Sequence, residues 1–113
     1  MPDLSSGVWD GHYEQFGEHY PQRMTLEFAD GLIRGDGADG LGTFTLDGEY
    51  RVEDDGVRIG CIKTYDNAHS VLYLGTLVDG RITGQWRLPG GRGEFALSAT
   101  GTGSTTGRSE KIR

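Results

Sequence analysis

Apolar and polar residues alternate with a period of two along most of this chain. Met24, Leu26 and Phe28 interleave with Arg23, Thr25 and Glu27. Phe44, Leu46, Gly48, Tyr50 and Val52 interleave with Thr43, Thr45, Asp47, Glu49, Arg51 and Glu53. The runs Val57, Ile59, Cys61 and Ile82, Trp86, Leu88 continue the same spacing. Alternation of this kind marks strands with one buried and one wet face, and no stretch carries a helical period. The pattern predicts eight strands, at about 7–16, 22–29, 32–36, 42–53, 57–65, 70–78, 81–88 and 93–99. Their connections are short, so sequence neighbours pair antiparallel. The predicted fold is all-β: an eight-stranded antiparallel up-and-down β-barrel.

Turn chemistry sets the registers. Of seven Asp-Gly pairs, Asp30-Gly31 and Asp79-Gly80 separate two alternating runs and suit two-residue type I′ hairpins. Asp47-Gly48 lies inside an unbroken run, which makes Gly48 an inward kink in one long bent strand. The hairpins place Leu77 opposite Ile82, Gly75 opposite Gly84, Tyr73 opposite Trp86 and Val71 opposite Leu88. They also place Phe28 opposite Ile33 and Glu27 opposite Arg34. A loop at 53–56 sets Val52 against Val57, Tyr50 against Ile59, Gly48 against Cys61 and Leu46 against Lys63. A loop of Asn67, Ala68 and His69 sets Lys63 against Tyr73 and Cys61 against Gly75. Together these registers gather Gly48, Cys61, Gly75 and Gly84 into one inward layer between layers of large side chains. Such a layer predicts room for one small ligand. If Trp9, Tyr13 and Phe95 fill it from the opposite wall, the interior is instead packed.

With 113 residues there is room for a single domain. The expected division is a loose N-terminal arm over 1–7, the barrel over 8–100, and a disordered Gly/Ser/Thr-rich tail over 101–113. A net charge of −6 argues against nucleic-acid or anionic-membrane partners. No window is apolar enough to span a bilayer, and Met1-Pro2-Asp3 lacks the features of a leader. The single Cys61 excludes an internal disulfide and suits a reducing, cytoplasmic setting. The Gly35–Gly40 stretch lacks the ligand spacing of a calcium loop and is expected to be a turn. His12 and His19 fit no standard metal motif, so neither a metal nor another cofactor is expected.

Candidate chemistry centres on Lys63, the only lysine before the tail, on an apolar strand face. A desolvated amine there has a lowered pKa and suits anion binding or Schiff-base formation. The bland possibility is a lysine near the barrel mouth that snorkels to water or pairs with a carboxylate. Tyr65, Asp66 and His69 fall beside the same mouth as Tyr73 and Trp86, a set able to orient a polar ligand or move a proton. Ser70 beside His69 is no triad signal, because neighbours on a strand face opposite ways.

Three segments resemble the avidin/streptavidin family of biotin-binding barrels. They are Gly7-Val8-Trp9, the run from Lys63 to Ser70, and the run from Ile82 to Leu88. The resemblance implies a ligand at the open end of an eight-stranded barrel, with Trp86 and Ser70 at the places of a stacking tryptophan and a ligand serine. The family's tryptophan before the lysine is Ile62 here, and its sixth-strand threonine and tryptophan are Leu72 and Leu74. Its asparagine after the opening Trp is Gly11, and the last strand offers no clear aspartate. The expected function is therefore a non-enzymatic barrel binding a small organic molecule other than biotin. Trp9, Lys63, Tyr65, His69, Ser70, Tyr73 and Trp86 would supply the ligand contacts. One alternative is an isomerase- or cyclase-type enzyme using Lys63 or His69; another is a protein-interaction module without a pocket.

The sixth strand breaks the polar-outside rule, with Leu72, Leu74, Thr76 and Val78 on its outer face. Ile62, placed opposite Leu74, extends this patch. A homo-oligomer formed through Ile62, Leu72, Leu74 and Val78 is the expectation.

Overall fold

A computed structural model describes residues 6–66 and 69–100. The strands are β1 (Gly7–Gln15), β2 (Glu18–Ala29), β3 (Leu32–Asp39), β4 (Gly42–Glu53), β5 (Gly56–Tyr65), β6 (Ser70–Val78), β7 (Arg81–Leu88) and β8 (Gly91–Ala99). Each pairs antiparallel with the next, and β8 closes on β1, so the alternating pattern produces the predicted closed eight-stranded barrel. Asp30 and Asp79 (φ 53° each) precede Gly31 (φ 81°) and Gly80 (φ 76°), which is the left-handed pair a type I′ hairpin needs. Gly7, assigned to the arm, already belongs to β1; residues 1–5 and the tail at 101–113 lie outside the described residues.

Two boundaries differ from the sequence reading. β2 begins at Glu18 rather than 22, because Phe16-Gly17 forms a left-handed turn without an Asp-Gly signature. β3 continues to Asp39, so most of the stretch expected to be a glycine-rich turn is strand. Gly35 and Gly37 hold inward positions there, and a Cβ would lie 2.8 Å from Leu26 Cδ2 or Met24 Cα respectively. Side chains are excluded by crowding, so the alternation continues with no apolar letters to reveal it.

The β2–β3 and β4–β5 registers are as predicted, and so is β6–β7 through Leu72–Arg87. The β5–β6 register is not. Lys63 pairs with Val71, Cys61 with Tyr73 and Ile62 with Leu72, a displacement of two residues. The hairpin is closed by Tyr65 N–H donating to the His69 carbonyl at 3.2 Å, rather than between Asp66 and Ser70. Asp66 is engaged elsewhere, its N–H on the Thr43 carbonyl and its carboxylate on the Thr43 hydroxyl. An even displacement keeps inward residues inward but dissolves the layer of small residues. Gly48 and Cys61 now align with Tyr73 and Trp86, whereas Gly75 and Gly84 align with Ile59 and Phe95.

Phe95 takes the space over Gly75, where a Cβ would lie 3.0 Å from its Cζ. Trp9, Ile33, Phe44, Val57 and Ile82 are fully buried around it. What remains inside is a pocket of about 20 Å³ with an apolar lining that includes Met24, Leu46, Cys61 and Phe95. That is solvent-molecule size. Burial, assisted by Asp47, pushes the Cys61 thiol up to about 12. In the folded protein at pH 8, Cys61 should therefore react with a disulfide reagent only as fast as the barrel opens, and at once in denaturant. Rapid native labelling would show that the β4–β5–β6 wall is not closed over it.

Candidate functional site

The two ends of the barrel differ in chemistry. One carries the acidic turns Asp30-Gly31, Asp54-Asp55 and Asp79-Gly80. The other carries Phe16-Gly17, Gly40-Leu41, the β5–β6 connection ending at His69, and Pro89-Gly90. At this second end Phe16 is 89% exposed and Leu41 64% exposed. Phe16 also holds φ 54°, a left-handed conformation that bulky side chains avoid.

Below this rim lies a cup of about 40 Å³ lined by Tyr13, Tyr65, His69, Tyr73, Trp86 and Leu88, among others. Its base is a buried polar knot around Lys63, which is 0% exposed. The Lys63 ammonium donates to Asp39 Oδ2 at 2.6 Å, to Gln22 Oε1 at 2.9 Å and to the Tyr73 hydroxyl at 3.3 Å. It stands 4.2 Å from the Phe44 ring centre and 5.0 to 5.3 Å from those of Tyr13, Tyr65 and Tyr73. Asp39 Oδ2 also accepts from the Tyr65 hydroxyl at 2.6 Å, and Oδ1 accepts from Leu41 N–H at 2.8 Å. Tyr73 donates to Gln22 Oε1 at 3.2 Å. Gln22 Nε2 is the buried side-chain donor left without a partner among the described residues.

Register brings this knot together. Gln22 faces Asp39 across β2–β3, and Lys63 reaches them from β5. Burial lowers the Lys63 pKa and Asp39 opposes that shift. Burial alone would raise Asp39, but hydrogen bonds from Lys63, Tyr65 and Leu41 N–H hold its carboxyl below the usual range. Burial, with the Asp39 charge next to it, pushes the Tyr65 phenol well up; burial does the same to Tyr73. The contacts are those of an ammonium–carboxylate pair set among phenols.

Four of the residues expected to contact a ligand, Tyr65, His69, Tyr73 and Trp86, line the cup together. Lys63 lies beneath them, with each of its three N–H groups already used. Trp86 is pinned by its indole N–H on the Glu14 carbonyl at 2.8 Å. His69 tilts against Tyr65 with ring centres 5.1 Å apart. The remaining two are elsewhere. Trp9 is packed edge-on to Phe28 inside the barrel, and Ser70 is exposed beside Thr64 on the outer face. Sequence reasoning missed Gln22, Asp39, Phe16 and Leu41. Continuing the inward parity of Met24 back to 22, and of Ile33 forward to 39, finds the first two.

His12 and His19 meet on the outside of β1–β2, their rings stacked at 4.3 Å, with His19 Nε2 2.8 Å from Glu14. No group of metal-ligating side chains occurs among the described residues. No helix there is long and apolar enough to cross a membrane. Comparison with protein-family models finds no match, and neither does comparison with curated proteins. The resemblance to the avidin/streptavidin barrels is supported as far as a closed eight-stranded barrel in meander order.

Proposed function

We propose that the protein is a non-catalytic binding module that takes a small organic ligand at its aromatic mouth. The observation that carries this reading is Phe16, an exposed aromatic residue held in a strained left-handed turn and next in the chain to Gln15, which lines the cup. Backbone strain at an exposed tip costs stability and is kept where the side chain has a use. Enclosed ligand pockets run to roughly 300–1,000 Å³. A cup of about 40 Å³ therefore takes no more than a small apolar end group such as a methyl, with any ring and the rest of the ligand lying against the rim. The buried ion pair locks Tyr65 and Tyr73, so little ordering is needed on binding. Proton transfer or Schiff-base chemistry has weaker support, since the Lys63 amine is fully engaged and His69 has no acid or base partner among the described residues.

The test is amide NMR of the full chain titrated with indole, phenol and a panel of small aromatic and aliphatic compounds. Shifts should concentrate at Gln15, Phe16, Leu41, His69 and Leu88. Phe16→Asn should stabilise the fold by about 0.5–1 kcal/mol by suiting the left-handed turn. The same change should weaken binding about tenfold, or 1.4 kcal/mol. Shifts scattered over the barrel, or binding indifferent to Phe16→Asn, would overturn the proposal.

A further inference from the structure

The outer wall of β4 to β7 has a second organisation, independent of the mouth. Its register aligns Asp47, Ile62, Leu72 and Arg87 in one row across four strands. The next row is Glu49, Gly60, Leu74 and Gln85. Further along, Glu53 pairs with Gly56 on one side of the wall and Val78 with Arg81 on the other. Ile62, Leu74 and Val78 are 44%, 38% and 47% exposed, and an open groove over Gly60 is lined by Glu49, Arg51, Arg58, Ile62, Leu72 and Leu74, among others.

The first two rows are acidic on the β4 side and basic or amide-bearing on the β7 side; the row between them and Glu53 is Arg51, Arg58, Thr76 and Thr83, with both arginines on the β4–β5 side and hydroxyls facing them across the axis. A twofold axis parallel to the strands and between β5 and β6 exchanges the two sides. Asp47 of one copy then meets Arg87 of the other and Glu49 meets Gln85, whereas Glu53 is already bridged to Arg51 and Arg58 of its own barrel. Ile62 meets Leu72 in the centre. Asp47 and Arg87 take part in no ion pair with other described residues of their own barrel, so both charges are available. Arg34 and Arg92, one strand further out on either side of the first row, are carried away from the contact by the curvature of the barrel.

We propose that this wall is a self-complementary surface whose occupant is a second copy of the same chain, packed face to face across that twofold. Face-to-face sheets cross at about 30°, an angle their own twist supplies. Four strands by four rows laid flat would cover on the order of 500 Å² per copy, and the curvature of a closed barrel draws β4 and β7 back and reduces it. That is the small end of specific interfaces, so the dimer is reversible and concentration-dependent.

Sedimentation of the full chain from about 10 µM to about 1 mM reads this directly. The native chain should pass from monomer to dimer. Asp47→Arg and Arg87→Asp should each weaken association at least about tenfold, because each sets like charges together. The combined charge swap should restore it, since the opposite pair is re-formed with its sign reversed. Leu72→Glu with Leu74→Lys should stay monomeric throughout; should that variant fail to fold, the charge swap decides. A native chain that is monomeric at every concentration would overturn the proposal. So would a charge swap that associates no better than its single variants.

Discussion

Asp39→Asn will destabilise the barrel by about 3–5 kcal/mol, because it leaves the Lys63 ammonium buried without its counter-charge. The Asp39 side chain is 0% exposed and that of Lys63 is 1% exposed, so water cannot take over the pairing. Gln22 and Tyr73 still accept from the ammonium, but neutral acceptors do not replace a charge 2.6 Å away. The double variant Lys63→Met with Asp39→Asn should recover most of the loss, since a thioether suits the ring of Phe44, Tyr13, Tyr65 and Tyr73 without needing a partner. Urea unfolding of the four proteins gives the cycle. A single-variant loss under about 1 kcal/mol would mean that the pair contributes no more than an exposed one.

The same pair predicts an acid limb. The Asp39 carboxyl titrates below its ordinary value in the fold, so its contribution is complete above the unfolded value near 3.8. It disappears as pH falls through the lower folded value. The stability gap between the native chain and Asp39→Asn should therefore be constant from about pH 7 to 5 and close below about pH 4.

Strand number, order and most registers were legible because alternation and two-residue turns are local signals. Tyr73 against Trp86 followed from Asp-Gly turn chemistry, and Leu46 against Lys63 from the loop at 53–56 with inward parity preserved. The β5–β6 register was hidden because Asp66 is held by Thr43 on β4, a contact 23 residues away that no local pattern announces. The mouth was legible in part. Tyr65, Tyr73 and Trp86 were placed at the mouth by strand register and His69 by its loop, but Asp39 sat behind Gly35 and Gly37, whose missing side chains erase the apolar code. Phe16 could not be seen as special, since a left-handed Phe has no sequence mark. The expected space around Gly75 and Gly84 depended on the displaced register and went with it.

That correction reverses the expected behaviour of the glycines. With a hollow interior, Gly75 or Gly84 would accept a large side chain and lose only a ligand. Here Gly84→Ala alone should remove a large part of the protein's stability. An added Cβ would run into the Leu74 carbonyl oxygen and lie 2.5 Å from the Gly75 Cα, so the obstacle is backbone of the adjacent strand rather than a movable side chain. Relief requires β6 and β7 to separate, and in a closed barrel that strain passes to every neighbouring pair. We expect a loss of at least about 4 kcal/mol, a large share of the 5–15 kcal/mol that holds a domain of this kind together. Gly60→Ala is the matched control, because its Cβ would touch nothing closer than Leu74 Cδ2 at 3.5 Å on the outer face. It should change stability by less than about 1 kcal/mol. Thermal melts of both variants settle the point: a folded Gly84→Ala chain with a near-native midpoint would mean that β6 and β7 are not this closely apposed.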